Sequence, residues 1–185
     1  MAKKYNKLEP KVPKEVTYSL LGFLVVVIVL FILLIPSKQE KFYALYSDVA
    51  TDDFTEDHPF YELSYKKLID KLENDEYVIL FIGTPTSTTA YTYIGAFQKY
   101  YEQLEVSEYV DYIYYFDPTE DEDNFVELMD QYDDIAYSAE QLILFIDNEV
   151  SVQFTANGTS DTQLINRAAK KFFDDALEAM DAAGE

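Results

Sequence analysis

The chain reads as an α/β protein, a mixed sheet flanked by helices, set behind an N-terminal transmembrane helix. Three observations predict this. Val16–Ile35 (VTYSLLGFLVVVIVLFILLI) is twenty residues without a charge. Tyr77–Ile82 and Tyr109–Phe116 are short apolar runs separated by a helical stripe, the pattern of a βαβ unit. Gln141–Ile146 and Glu149–Thr155 are two more runs separated only by Asp147-Asn148, as in an antiparallel hairpin.

At about 1.5 Å per residue, the first run matches a hydrocarbon core of about 30 Å. Pro36-Ser37-Lys38-Gln39-Glu40 follows it in place of the small residues of a signal-peptidase site, so the helix is expected to stay as an anchor. Lys3, Lys4, Lys7, Lys11 and Lys14 precede it, and the basic flank places the N-terminus in the cytoplasm. Residues 1–35 carry net +3 and the remainder net −24, together the −21 of the whole chain. The expected division is a basic cytoplasmic tail 1–15, a transmembrane helix 16–35, an extracellular tether 36–61, a folded domain 62–182 and a short tail 183–185.

Residues 36–60 mix polar, acidic and aromatic residues without sustained periodicity, which suits an irregular lead-in. Tyr65, Leu68, Ile69 and Leu72 then recur at helical spacing, and Tyr77–Ile82 has the continuous apolar character of a strand covered on both faces. Gly83-Thr-Pro-Thr-Ser-Thr-Thr89 breaks the run. Ala90, Ile94, Phe97, Tyr101 and Leu104 form the stripe of the next helix. Past the strand ending at Phe116, Pro118 and the acidic Glu120–Asp123 open a helix packed through Phe125, Met129 and Tyr132. In the hairpin, Val150, Val152 and Phe154 are expected to share one face. Asp161 or Thr162 caps a last helix carrying Leu164, Ile165, Ala168, Phe172, Ala176 and Met180. The order after the lead-in is therefore helix, βαβ, helix, ββ, helix.

Composition narrows the function. About 150 residues follow the apolar run, enough for one domain with a core. Strong negative charge repels nucleic-acid phosphates and anionic lipid head groups, leaving basic partners and cations. The chain has no cysteine, which removes disulfides, thiolate metal sites and cysteine nucleophiles together. No cofactor is implied.

The element order and, more specifically, the passage YVILFIGTPTSTTAYTYIGAFQKYY resemble the thioredoxin-like fold, in particular the membrane-anchored bacteriocin-accessory thioredoxin-like proteins of Gram-positive bacteria. The resemblance covers roughly residues 62–182. In that family the turn reads approximately G-x-P-T-C-x-x-C, which laid on Gly83–Ala90 puts Ser87 and Ala90 where the two cysteines stand. Dithiol exchange needs an attacking thiolate and a resolving thiol, and a serine hydroxyl supplies neither. The family also places a proline, usually cis, before the penultimate strand, where this chain has Glu140 followed by Gln141. The resemblance thus implies a redox-inactive surface at Pro85, Thr86, Ser87, Ala90, Glu140 and Gln141 that contacts a protein or peptide in secretion, folding or surface assembly.

Other candidates weigh less. Thr86 or Ser87 caps the following helix, with anion binding at that helix end as the functional alternative. Ser87 as a nucleophile needs a base, and the one histidine, His58, lies in the lead-in beside Pro59. Asp117, Asp121 and Asp123 are weak candidates for a Ca²⁺ site, although the EF-hand spacing and its glycine are missing. A calsequestrin-like acidic surface that holds Ca²⁺ weakly is the second function class. Tyr91, Tyr100, Tyr112 and Tyr137 are candidates for a contact surface, and Asn157-Gly158-Thr159 reads as a turn rather than a glycosylation acceptor.

Overall fold

The computed structural model describes residues 13–48, 54–137, 140–154 and 159–184, apart from the side chains of Glu15, Ile32 and Leu33. It divides into two units, residues 1–36 and 37–185. In the first, α1 (Lys14–Leu34) is a helix of 21 residues. From Val16 to Phe31 its side chains are uncharged and mostly apolar, and all but Val27 are exposed, Leu20 and Tyr18 to 70% each. Among the described residues, no helix is long and apolar enough to cross a membrane. The uninterrupted described stretch of α1 is Val16–Phe31, and the span expected over 16–35 runs on into the side chains that lie outside the description.

The second unit is an α/β domain of α2 (Lys38–Tyr46), β1 (Phe60–Glu62), α3 (Tyr65–Asn74), β2 (Tyr77–Ile82), α4 (Thr88–Gln103), β3 (Ile113–Phe116), α5 (Glu122–Gln131), β4 (Gln141–Ile146), β5 (Glu149–Gln153) and α6 (Thr162–Ala183). The sheet order is β1-β3-β2-β4-β5. β3 runs parallel to both β1 and β2, while β4 is antiparallel to β2 and β5 to β4. Successive side chains on a strand point to opposite faces. Accordingly Ile79, Phe81, Ile113, Tyr115, Leu142 and Leu144 join α2, α4 and α6 in one core layer. Val78, Leu80, Ile82, Tyr114, Phe116, Ile143 and Phe145 join α3 and α5 in the other.

Two expectations need correction. Residues 36–61 are not an irregular tether: they contribute α2 and the edge strand β1. A capping box starts α2, with the Glu40 amide donating to Ser37 Oγ at 3.1 Å and the Ser37 amide to Glu40 Oε2 at 2.6 Å. Phe42 and Tyr46, one turn apart, are fully buried, Phe42 stacking on Phe60 with centroids 4.7 Å apart. β1 pairs in parallel with β3, Phe60 opposite Ile113 and Glu62 opposite Tyr115. The segment before it is anchored by buried Gln98 of α4, whose Oε1 accepts the Thr55 amide at 3.0 Å and whose Nε2 donates to the Asp57 carbonyl at 2.8 Å.

The second correction concerns β5. A register shift between Leu144 and Phe145 sets Val152 opposite the former and Val150 opposite the latter, leaving Ser151 as the extra residue of a bulge. One extra residue inverts the alternation, so Val152 and Phe154 pack on the α4/α6 layer and Val150 on the α3/α5 layer. The turn behaves as its residues demand. Asp147 and Asn148 both have positive φ, 49° and 66°, the conformation a tight two-residue hairpin requires. Strand β3 is shorter than the expected Tyr109–Phe116, because Val106–Glu108 form a turn of 3₁₀ helix and Val110 enters the core from the loop that precedes Ile113. The Asn157-Gly158 turn lies outside the described residues.

Because Phe42 is a buried part of the domain, Phe42→Ala is expected to cost about 3–5 kcal/mol of stability. Urea unfolding followed by tyrosine fluorescence measures it; an unchanged midpoint would return residues 36–61 to the status of a tether.

Candidate functional site

The site forms where β2 ends. The antiparallel register puts Ile82 opposite Gln141, which brings Glu140 beside the turn that follows β2. The Gly83 amide donates to the Phe116 carbonyl at 3.3 Å, tying the turn to β3 as well. A Cβ at Gly83 would stand 2.5 Å from Cζ of Phe81, so glycine is required by close approach of the ring. The Ser87 amide donates to the Thr84 carbonyl at 3.0 Å, closing a turn with Pro85 at its second position.

Ser87, and not Thr86, caps α4. Its backbone is extended and its Oγ accepts the Ala90 amide at 3.5 Å. The hydroxyls then form two groups. Thr84 and Thr86 share one hydrogen bond of 3.1 Å, and Ser87 and Thr89 share another of 2.9 Å. Thr89 donates on to Glu140 Oε2 at 3.4 Å, and the Tyr91 hydroxyl donates to the Pro85 carbonyl. Glu140 Oε1 is buried and has no hydrogen-bond partner among the described residues. The first turn of α4, a natural seat for an anion, therefore already faces the chain's own carboxylate.

Of the residues expected at this surface, Pro85, Thr86, Ser87, Ala90 and Glu140 are brought together. Thr86 is exposed, Pro85 and Ser87 are half-buried, and Ala90 is fully buried. Gln141 is turned away: its side chain accepts the Ala136 amide at 3.0 Å and donates to the Ala136 carbonyl at 2.6 Å. No peptide bond among the described residues is cis.

Behind the turn lie residues that sequence reasoning missed. Tyr46 donates to the Tyr115 hydroxyl at 3.1 Å, both buried, and Tyr91 meets Tyr46 edge-on with centroids 5.7 Å apart. Burial pushes both phenols of the Tyr46–Tyr115 pair well above their usual range; the charge of Asp117 adds to this for both, that of Glu140 for Tyr46 and that of Glu120 for Tyr115. Both stay neutral hydrogen-bonding groups. The signal for Tyr46 was present in the capping box Ser37-Lys-Gln-Glu40 ahead of Phe42 and Tyr46; nothing local marked the pairing with Tyr115.

The acidic candidates separate. Asp117 and Asp121, with Glu62 and Glu120, line a cavity of about 220 Å³ walled by Tyr65 and Phe116, whereas Asp123 is exposed outside it on the first turn of α5. Asp117 Oδ1 accepts from the Thr119 amide at 2.8 Å and hydroxyl at 2.7 Å, and Asp121 Oδ2 accepts from Asn124 at 2.6 Å. Among the described residues, no group of three or more His, Cys, Asp or Glu side chains is arranged to hold a metal ion. Of the four tyrosines expected near the surface, Tyr137 is 72% exposed and Tyr91, Tyr100 and Tyr112 are half-buried. His58 is buried and both its ring nitrogens engage main chain, so it offers Ser87 no base.

With the sheet order and the strand, turn and helix of residues 77–103 in view, the domain has the architecture of the thioredoxin-like fold: parallel β1, β3 and β2, then antiparallel β4 and β5, with helices on both faces. No family model matches the chain. No curated protein matches it either. Among solved structures it is similar to one described as "A putative oxidoreductase with a thioredoxin fold", at 14% identity and a TM-score of 0.45, over 61% of this chain and 94% of that one. With no cysteine in the chain, thiol–disulfide chemistry is absent.

Two substitutions separate the roles within the turn. Gly83→Ala forces the Phe81 ring to move inside a full core and is expected to cost about 1–3 kcal/mol. Ser87→Ala removes only a cap and is expected to cost about 0.5–2 kcal/mol. Thermal unfolding of both variants measures this. A Gly83→Ala protein as stable as the parent would mean that the ring has room the structure does not show.

Proposed function

We propose that the chain is a redox-inactive, thioredoxin-like binding domain, tethered outside a cell membrane by α1, that engages a protein or peptide during secretion, folding or surface assembly. The observation that carries this is the turn itself. Its architecture is kept, with a glycine under steric demand, a capped helix and β4 aligned beside it, while both positions that would carry sulfur hold Ser87 and Ala90. A buried carboxylate oxygen at Glu140 with no hydrogen bond among the described residues is an acceptor that an N–H of a bound peptide would satisfy. Thr89 donates to the other oxygen of that carboxylate, and the exposed Thr86 and Thr88 belong to the same turn and helix start.

The anchor reading is supported by α1. A helix without a charge from Val16 to Phe31 that exposes nearly all of its mostly apolar side chains is poorly suited to water. The lysines that precede it argue for a cytoplasmic N-terminus and an outer domain. The narrower likeness to bacteriocin-accessory proteins of Gram-positive bacteria belongs to this proposal too. It rests on the turn motif, and it makes an exported peptide the natural partner.

Photo-crosslinking from position 86 or 88 of the full chain in its own membrane tests the binding. Exported polypeptide is expected to be captured, and Glu140→Lys is expected to lower capture about tenfold or more, the worth of a hydrogen bond to a charged group. Capture of nothing exported, or capture indifferent to Glu140→Lys, would defeat the reading. Protease added to intact cells is expected to remove the domain; protection until lysis would reverse the orientation.

A further inference from the structure

His58 is the chain's one histidine, and it is only 3% exposed. A neutral imidazole has one N–H donor and one acceptor. Nδ1 accepts the Phe60 amide at 3.2 Å, so the ring hydrogen lies on Nε2 and is donated to the Gln39 carbonyl at 3.0 Å. The Gln39 side chain returns a bond of 2.8 Å to the His58 carbonyl. Phe42, Tyr43, Phe54 and Phe60 surround the ring, with centroids 5.2–6.2 Å away. This one ring therefore joins α2 to the start of β1 by polar contacts within an aromatic cage.

We propose that α2 is an acid-released latch: protonation of His58 undocks α2 from β1 and frees Phe42 and Tyr46 from the sheet. The protonated ring carries hydrogens on both nitrogens, so Nδ1–H would oppose the Phe60 N–H, donor against donor, and a cation would sit among four aromatic rings. Burial holds the imidazole below its ordinary proton affinity, against the pull of the Gln39 carbonyl and the Asp57 charge. Among the described residues, the titratable and charged groups around it are Asp57 from the lead-in, Tyr43 on α2, the Lys38–Glu62 ion pair of 2.8 Å between α2 and β1, and Glu102 on α4, which engages Gln98. An undocked ring takes up its proton near the ordinary value of about 6.5. The free energy of docking is thus complete above about pH 6.5 and falls as the pH drops below it. Release withdraws the Tyr46 hydroxyl from Tyr115 and opens apolar surface behind the 83–90 turn. The latch does not depend on what that turn binds.

Hydrogen exchange of the full chain in detergent micelles, corrected for the intrinsic pH dependence, tests the latch. Between pH 7.5 and 5, amides of α2 and β1 are expected to exchange several-fold faster, as the linkage of docking to protonation of His58 requires, while β2 and β4 keep their protection. His58→Gln can still donate once and accept once, and it is expected to show no such acceleration. The imidazole ring protons of the unmodified chain, followed by NMR, are expected to titrate below about 6.5, in step with α2. Unchanged α2 exchange at pH 5, the same acceleration in His58→Gln, simultaneous loss of β2 and β4, or a ring titrating at its ordinary value would each overturn the proposal.

Discussion

Strand β2 sets the terms for the rest of the domain. Its six residues carry no charged side chain, and Val78 to Ile82 are fully buried. Apolar side chains that alternate between two faces require cover on both, and backbone groups buried on both sides require strands on both edges. β3 and β4 meet the second demand; α4 and α6 on one side and α3 and α5 on the other meet the first. The turn after Ile82 is placed by the same constraint, because β2 stops where its neighbours still hold it. Gly83 keeps its hydrogen bond to β3, and Glu140 arrives from β4 on the opposite edge.

The helical layer on the α4/α6 side would be incomplete without the first elements of the second unit, α2 and β1. β1 lies at the far edge of the sheet, and Phe60 on it faces the same layer as Phe81 and Tyr115. α2 covers that corner with Phe42 and Tyr46. Three buried polar groups then fix a stretch that has little regular structure of its own: Gln98 holds Thr55 and Asp57, His58 holds Gln39 and Phe60, and Tyr46 holds Tyr115. Each is hydrogen-bonded, as a buried polar side chain must be if burial is not to cost stability. A corner held by a few directional bonds, one of them to a titratable ring, is more sensitive to conditions than one held by apolar contact alone.

The 83–90 turn keeps its form for reasons separate from chemistry. Ring contact requires glycine at 83, the cap requires a hydroxyl or carboxylate at 87, and a small residue at 90 fits the buried start of α4. None of these demands calls for sulfur. A turn whose shape is set by packing presents the same backbone with or without reactive atoms, and this is the physical basis for proposing it as a contact surface.

Local chemistry made much of this legible in the sequence. The continuous runs of β2 and β4, the four-and-three spacing of α3, α4 and α6, the Asp161 cap and the Asp147-Asn148 turn are each properties of a few neighbouring residues, and they appear where those residues dictate. The absence of thiols follows from composition alone. What only the tertiary structure decided are relations between distant residues. Three-residue β1 shows no periodicity of its own and exists because β3 offers it a partner. Val150 and Val152 take opposite faces because of an unpaired Ser151 that no alternation announces. Glu140 meets Thr89 across 51 positions through the β2–β4 register, and His58 is buried because α2 closes over it. Spacing along the chain carries propensity and pattern, but pairing across the sheet is settled only when both layers of the core are filled at once.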